Sequence, residues 1–212
     1  MSKRYFVTGI GTGVGKTLVS TVLAEALKAD YFKPVQCGDL DNTDEDFVRD
    51  NLFNSRSKVH PTQHLFRLAA SPHAAAKAEG KTLSVDMIVI PQSNNCLIVE
   101  GAGGILVPLN LSNEFVIDIA KHNSIEIILI VDYYLGSINH SLLTLKYLKS
   151  NNYKIGLLVF NGDRIESSKQ AILVEAKDIP YIEINRIEVS PEGVKSKADE
   201  IAQLLEEKLF VR

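Results

Sequence analysis

The stretch Gly9-Ile10-Gly11-Thr12-Gly13-Val14-Gly15-Lys16-Thr17 follows the apolar run Tyr5-Phe6-Val7 and precedes an amphipathic helical pattern. A strand, a glycine-rich loop and a helix in that order make a phosphate cradle. Glycines turn successive backbone N–H groups toward one anion, the helix adds its positive N-terminal end, and Lys16 stands where it neutralises the outer phosphates. Thr17 offers a hydroxyl to Mg²⁺. The usual loop of this kind needs a first glycine at position 10, where Ile10 stands, so counting from Gly9 gives a variant one residue longer. A dinucleotide loop starting at Gly9 and Gly11 needs its third glycine at position 14, which is Val14, and has no use for Lys16-Thr17. A kinase-type glycine loop joins two strands, whereas a helix follows here. A bare turn leaves Lys16-Thr17 at the helix start unexplained.

The chain has 212 residues, enough for one α/β domain with a well-buried sheet, and residues 1–212 read as a single domain. Hydrophobic residues at 45% and charged residues at 23% favour neither disorder nor a membrane class. The longest apolar stretch, Ile125 to Val131, contains Glu126 and is far too short to span a bilayer. Lys3 and Arg4 stand directly ahead of the apolar run Tyr5-Phe6-Val7, with no apolar signal region, so a cytoplasmic location is expected and no membrane partner. A net charge of −3 with both signs interspersed offers no basic stripe for nucleic acid. Cys37 and Cys96 lack metal-ligand spacing, and Cys96 in its apolar run reads as a buried thiol. No disulfide is expected in a reducing compartment.

Apolar runs alternate with helical patterns along the chain, with strands expected at 4–9, 30–33, 96–100, 126–131, 154–160 and 180–183. That alternation predicts an α/β fold, a mostly parallel sheet with helices on both faces. Val19, Val22, Leu23, Ala26 and Leu27 stripe the helix after the glycine loop, Ile138, Leu142 and Leu145 a helix starting near Ser137, and Val194, Ala198, Ile201 and Leu205 the last one. Ser71-Pro72 fits an N-cap and first helical residue, and Gly80 ends the helix that follows. The acids Asp39, Asp41, Asp44, Glu45 and Asp46 open another short helix, for most of them a solvated first turn.

Ligands of open parallel sheets sit at the carboxyl ends of strands, which singles out four places. The glycine loop is the first. At the second, Lys33 ends a strand and Pro34 is expected to stop further pairing. At the third, Glu100 ends a buried strand ahead of the flexible Gly101-Ala102-Gly103-Gly104, a position suited to an acid that holds Mg²⁺. At the fourth, Asn161-Gly162 reads as a base-edge contact or as a plain turn. The guanine-reading pattern Asn-Lys-x-Asp is absent there, which leans toward adenine.

These pieces, in this order, resemble the dethiobiotin synthetase family of the P-loop NTPase superfamily over nearly the whole chain. The matching segments are Tyr5 to Thr17, Lys33-Pro34-Val35, Asn42-Thr43-Asp44, Ser71-Pro72-His73, Glu100 to Gly104, Leu135 to His140, and Asn161. The resemblance implies a single-domain, three-layer P-loop fold and an ATP- and Mg²⁺-dependent ligase that turns 7,8-diaminopelargonate and CO₂ into dethiobiotin. In that reaction a carbamate forms, ATP phosphorylates it, and the second amine closes the ring. By the same resemblance Lys33, Lys16 and Thr12 are catalytic, and Thr17, Asp44 and Glu100 hold Mg²⁺. Nucleotide contacts fall to Gly13, Val14, Gly15, Lys16, Thr17, Leu18, Asp44, Glu100, Gly101, Ala102, Gly103, Asn161 and Gly162, and to Asn185, Arg186 and Ile187 on a later loop. Substrate contacts fall to Cys37, where the family often has a hydroxyl, and to Gly136, Ser137 and Asn139. The family acts as a homodimer. Its P-loop usually carries an acid where this chain has Gly11, which removes negative charge near the phosphates.

A partition-type P-loop ATPase, a dimeric nucleotide switch, is the alternative of a different class. Such proteins carry a second lysine early in the loop, at the position of Gly11. A cobyrinic-acid amidating enzyme needs a glutaminase domain that this length leaves no room for.

Overall fold

The computed structural model describes residues 2–210, so Met1, Val211 and Arg212 of the 1–212 reading lie outside the described residues. In chain order the elements are β1 (Arg4–Gly9), α1 (Lys16–Leu27), β2 (Asp30–Phe32), β3 (Val35–Cys37), α2 (Asp44–Asn51), β4 (His64–Phe66), α3 (Pro72–Ala78), β5 (Leu97–Gly104), α4 (Asp118–His122), β6 (Glu126–Asp132), α5 (Ser137–Ser150), β7 (Ile155–Asn161), α6 (Glu166–Glu175), β8 (Tyr181–Ile184) and α7 (Pro191–Phe210). Six strands form one sheet in the order β2-β5-β1-β6-β7-β8, every neighbouring pair parallel. Its central strands are apolar almost without interruption, and Tyr5, Phe6, Val7 and the run Ile127 to Val131 are fully buried. Strands of that kind need cover on both faces. One helical layer packs α1 against α7 and α2, and another packs α5 against α6. Right-handed crossovers put these layers on opposite faces, because α1 leads from β1 toward β2 while α5 and α6 lead the other way. The connection order reverses at β1, so the glycine loop at its carboxyl end lies where a crevice opens.

Three expectations are corrected. Pro34 does not end pairing: the chain leaves the main sheet there and starts a second, two-stranded parallel ladder, β3 with β4. The His64 N–H donates to the Pro34 carbonyl at 3.1 Å as that ladder begins. Gly101 to Gly104 are not a flexible loop but the end of β5, which pairs with β1 up to Gly9↔Gly104 after a register shift. A Cβ at Gly101 would meet the Phe6 ring at 3.0 Å, a tighter contact than most Cβ atoms make, so glycine lets the strand lie close against that ring. In α5 the buried line is Ser137, Ser141, Thr144, Leu145 and Leu148, while Ile138 and Leu142 are only half-buried and Leu143 is exposed.

Other signals are met more closely, although β2 ends at Phe32, one residue before Lys33, and in α1 Ala26 and Leu27 of the expected stripe are only half-buried. Ser71 precedes α3 with Pro72 at its first turn, and Thr43 and Asp46 form a capping box at α2 with Asp44 and Glu45 in its first turn. The stripe Val194, Ala198, Ile201 and Leu205 of α7 is buried. Both cysteines are free thiols. Among the described residues no helix is long and apolar enough to cross a membrane.

Candidate functional site

At the end of β1 the chain turns through Gly13 (φ 75°) and Gly15 (φ 84°), both in the left-handed region. Gly15 is the N-cap of α1 and supplies no side chain to its first N–H groups, which stay free for an anion. The loop is held from outside, since Asn161 Nδ2 at the end of β7 donates to the Val14 carbonyl at 3.0 Å. From within, Lys16 Nζ donates to the Gly11 carbonyl at 3.0 Å.

Next to the loop, β2 and β5 bring three more groups together. Lys33, 3% exposed, donates to Glu100 Oε1 at 2.9 Å and to the Gly101 carbonyl at 3.1 Å, and pairs with Asp44 Oδ2 at 2.5 Å. The Thr17 hydroxyl donates to the same Glu100 Oε1 at 3.0 Å, and the Tyr31 phenol donates to Glu100 Oε2 at 3.0 Å. One carboxylate, 1% exposed, thus gathers donors from α1 and from the β2 strand and its end.

Burial alone would strip both lysines of charge, and their surroundings decide the outcome. Lys16 falls to about 8 because burial dominates, with Glu100 opposing and the Lys33 charge adding to the drop. Lys33 is more deeply buried, yet Glu100 and Asp44 together overcome burial and hold its pKa above the usual lysine value. For Asp44 burial acts upward, but the Lys33 ammonium leads the forces that hold it below the usual carboxylate value. Burial and then Glu100 push the Tyr31 phenol well above its usual range. Burial pushes the Cys37 thiol up to about 11, so it stays protonated at neutral pH.

With Tyr31 buried behind them, these groups line one cleft of about 800 Å³, which Thr12, Gly13, Gly15, Lys16, Thr17, Leu18, Lys33, Cys37, Asp44, Glu100, Ala102 and Gly103 all border. Lys16 and Lys33 therefore face the same space. Val14 is turned into a second cleft of about 720 Å³ on the other side of the loop, whose rim includes Tyr134, His140 and Leu143. Gly101 lies beneath the Phe6 ring rather than on the cleft wall. Asn161 and Gly162 sit beside β8, where the Gly162 N–H donates to the Ile184 carbonyl at 2.9 Å, and Asn185, Arg186 and Ile187 follow directly. The exposed Arg186 pairs with Asp163 at 2.8 Å. Gly136, Ser137 and Asn139, at the start of α5, border neither cleft.

Residues 3–189 match the AAA domain family. A protein from Cytophaga hutchinsonii described as ATP-dependent dethiobiotin synthetase BioD is 48% identical over 172 residues, 81% of this chain and 82% of that relative. The chain belongs to the dethiobiotin synthetase family. A second synthetase, from Christiangramia forsetii, is 45% identical over 173 residues, 81% of this chain and 82% of the relative. Among solved structures, the septum site-determining protein MinD complexed with Mg-ADP from Pyrococcus horikoshii OT3 has a TM-score of 0.54 at 12% identity, over 98% of this chain and 99% of its own. A ParA family ATPase from Chlorobium tepidum TLS gives 0.53 at 16% identity, over 98% and 94%. Both likenesses concern the fold alone.

For a dethiobiotin synthetase family chain, two cleft features had no sequence signal. Tyr31 reads only as an apolar strand residue, and its bond to Glu100 follows from the pairing of β2 with β5. Gln36, 7% exposed, borders the cleft because of β3, a strand that three residues cannot announce by periodicity.

Proposed function

We propose that this chain carries out ATP-dependent ring closure of 7,8-diaminopelargonate with CO₂, giving dethiobiotin, ADP and phosphate, with residues 1–212 acting as one catalytic unit. The observation that carries the reading is the shared cleft: two lysines, one of them held charged by two carboxylates, beside the glycine loop and the free N-terminus of α1. One amine of the substrate adds to CO₂ and releases a proton, forming a carbamate. A carbamate oxygen attacks the terminal phosphorus of ATP and ADP leaves. The second amine then attacks the carbon of the mixed anhydride, phosphate departs, and the ring closes with loss of a proton.

The difficulty is electrostatic, because the carbamate and the triphosphate are both anions and must touch. N–H groups from Gly13 to Leu18 bind the phosphates, with Lys16 on their outer end. Lys33 faces the carbamate and the phosphoryl group in transfer, and Thr12, at the mouth of both clefts, adds a hydroxyl. One such preorganised donor is worth about 10²–10³ in rate.

The donor set suits Mg²⁺. Asp44 and Glu100 already converge on one cation, the Lys33 ammonium, with the Thr17 hydroxyl on the same Glu100 oxygen. Among the described residues no group of three His, Cys, Asp or Glu forms a closed metal cage, in keeping with an ion that takes its other ligands from phosphate and water. Thr17, Asp44 and Glu100 would hold it, and it would neutralise charge on the outer phosphates.

We assign the adenine side to Asn161, Gly162, Asn185, Arg186 and Ile187, and Cys37 to the substrate side. Gly136, Ser137 and Asn139 serve the substrate from a second copy in a homodimer. The exposed Leu143 and Leu106, which border the second cleft, and the exposed Leu135 just before α5 support that arrangement. A coupled ADP assay tests the function: turnover is expected only with diaminopelargonate and bicarbonate together. ATP turnover indifferent to both would falsify it. Gly11, which has no ammonium to send across a dimer, speaks against the partition-type switch.

A further inference from the structure

We infer that Tyr31 is a positioning residue for this site: its buried phenol fixes one oxygen of Glu100 so that the other faces Thr17 and Lys33 in the cleft. The inference rests on the role given to Glu100 under Proposed function. Tyr31 pairs with Ile98 and Phe32 with Val99 in the parallel ladder of β2 and β5. Lys33 follows directly on β2, and both it and Tyr31, two residues earlier, reach the Glu100 carboxylate. The carboxylate divides its side-chain donors: Oε1 accepts from Thr17 at 3.0 Å and Lys33 at 2.9 Å, and Oε2 accepts from Tyr31 at 3.0 Å.

A carboxylate bonded through Oε1 alone can swing about its last torsion, which is broad for glutamate. The phenol removes that freedom, and it is itself fixed. The Tyr31 N–H donates to the Lys58 carbonyl at 2.9 Å, and its own carbonyl accepts from the His60 N–H at 2.8 Å. Tyr31 is fully buried, and its hydroxyl, the one group that packing of the ring does not need, donates to Glu100 Oε2.

The test is calorimetric ADP binding with and without Mg²⁺ for the unaltered chain, Tyr31→Phe, Glu100→Gln and the double variant, alongside thermal denaturation of each. Tyr31→Phe is expected to leave Mg²⁺-free ADP affinity unchanged and to reduce the gain in affinity that Mg²⁺ gives by roughly three- to tenfold, the scale of one typical hydrogen bond acting through Glu100. In the Glu100→Gln background the same change should do nothing more. A full gain in Tyr31→Phe, with or without a lowered Tm, overturns the inference, as do effects that simply multiply in the double variant. If Glu100→Gln itself keeps the full gain, the proposed role of Glu100 fails too. If Glu100→Gln loses the gain and Tyr31→Phe keeps it, only the inference on Tyr31 fails.

Discussion

Lys33→Met keeps most of the buried stem and removes the ammonium, which isolates what that charge does. Three contacts disappear, those to Glu100 Oε1, the Gly101 carbonyl and Asp44 Oδ2. The exposed side of Asp44 recovers water, but Glu100 is 1% exposed and recovers only the Thr17 and Tyr31 hydroxyls it already has. Breaking a buried pair on one side costs about 3–5 kcal/mol, and the two remaining donors on Glu100 put this case near 3 kcal/mol. For a chain of this size that corresponds to a Tm lower by roughly 6–12 °C. The sign of the pH dependence follows from Asp44. Its folded pKa lies below the ordinary 3.8, so its contribution is present above that value and is lost as pH falls through the lower folded one. Lys33 leads that lowering, so the gap between variant and unaltered chain should narrow on acidification below about pH 4. Phosphate release by the saturated variant should fall about 10²–10³-fold while ADP affinity changes little. Differential scanning calorimetry and single-turnover phosphate release give both readings. An unchanged Tm, or a collapse of ADP affinity with a normal rate from the bound complex, refutes the reasoning.

Lys16 titrates near 8 rather than 10.5, so between those values the folded protein holds fewer protons than the unfolded chain and this group makes stability rise with pH. Phosphate restores the ammonium, so ADP binding near pH 9 should take up about one proton, an uptake that falls as pH is lowered toward 7. Calorimetry in buffers of different ionisation enthalpy measures this, and equal heats at the higher pH would exclude it. Gly15→Ala places a Cβ at φ 84° and drives it into the Asn161 amide, breaking the brace on Val14. The backbone strain costs about 1–3 kcal/mol, and ADP affinity should drop at least tenfold by equilibrium dialysis. Wild-type affinity would show that the loop tolerates the change.

The features that positioned the site were legible where one physical demand acts on neighbouring residues. The cradle from Gly9 to Thr17, the strands around Phe6 and Leu129, and the stripe of α7 each carry their own signal in glycine spacing or periodicity. Signals failed where a distant partner decides. Gly101 to Gly104 have a loop's composition, yet they extend β5 because β1 offers a pairing edge as far as Gly9. β3 and β4 are three residues each, too short for alternation to register. In α5 the buried line mixes Ser137, Ser141 and Thr144 with Leu145 and Leu148, so a stripe read from Ile138, Leu142 and Leu145 finds only its last member fully buried. Lys33 and Glu100 were visible as strand ends, but that they share an oxygen with Thr17 follows from tertiary register alone.

The central claim is that a carbamate, not water, attacks ATP beside Lys33. Freshly dissolved CO₂ carrying ¹⁸O in both oxygens, mixed with the enzyme, ATP and diaminopelargonate in ordinary water, distinguishes the two by mass spectrometry of the products. The account predicts that one labelled oxygen goes to the released phosphate and the other stays in the ring carbonyl. Unlabelled phosphate formed alongside dethiobiotin would contradict it.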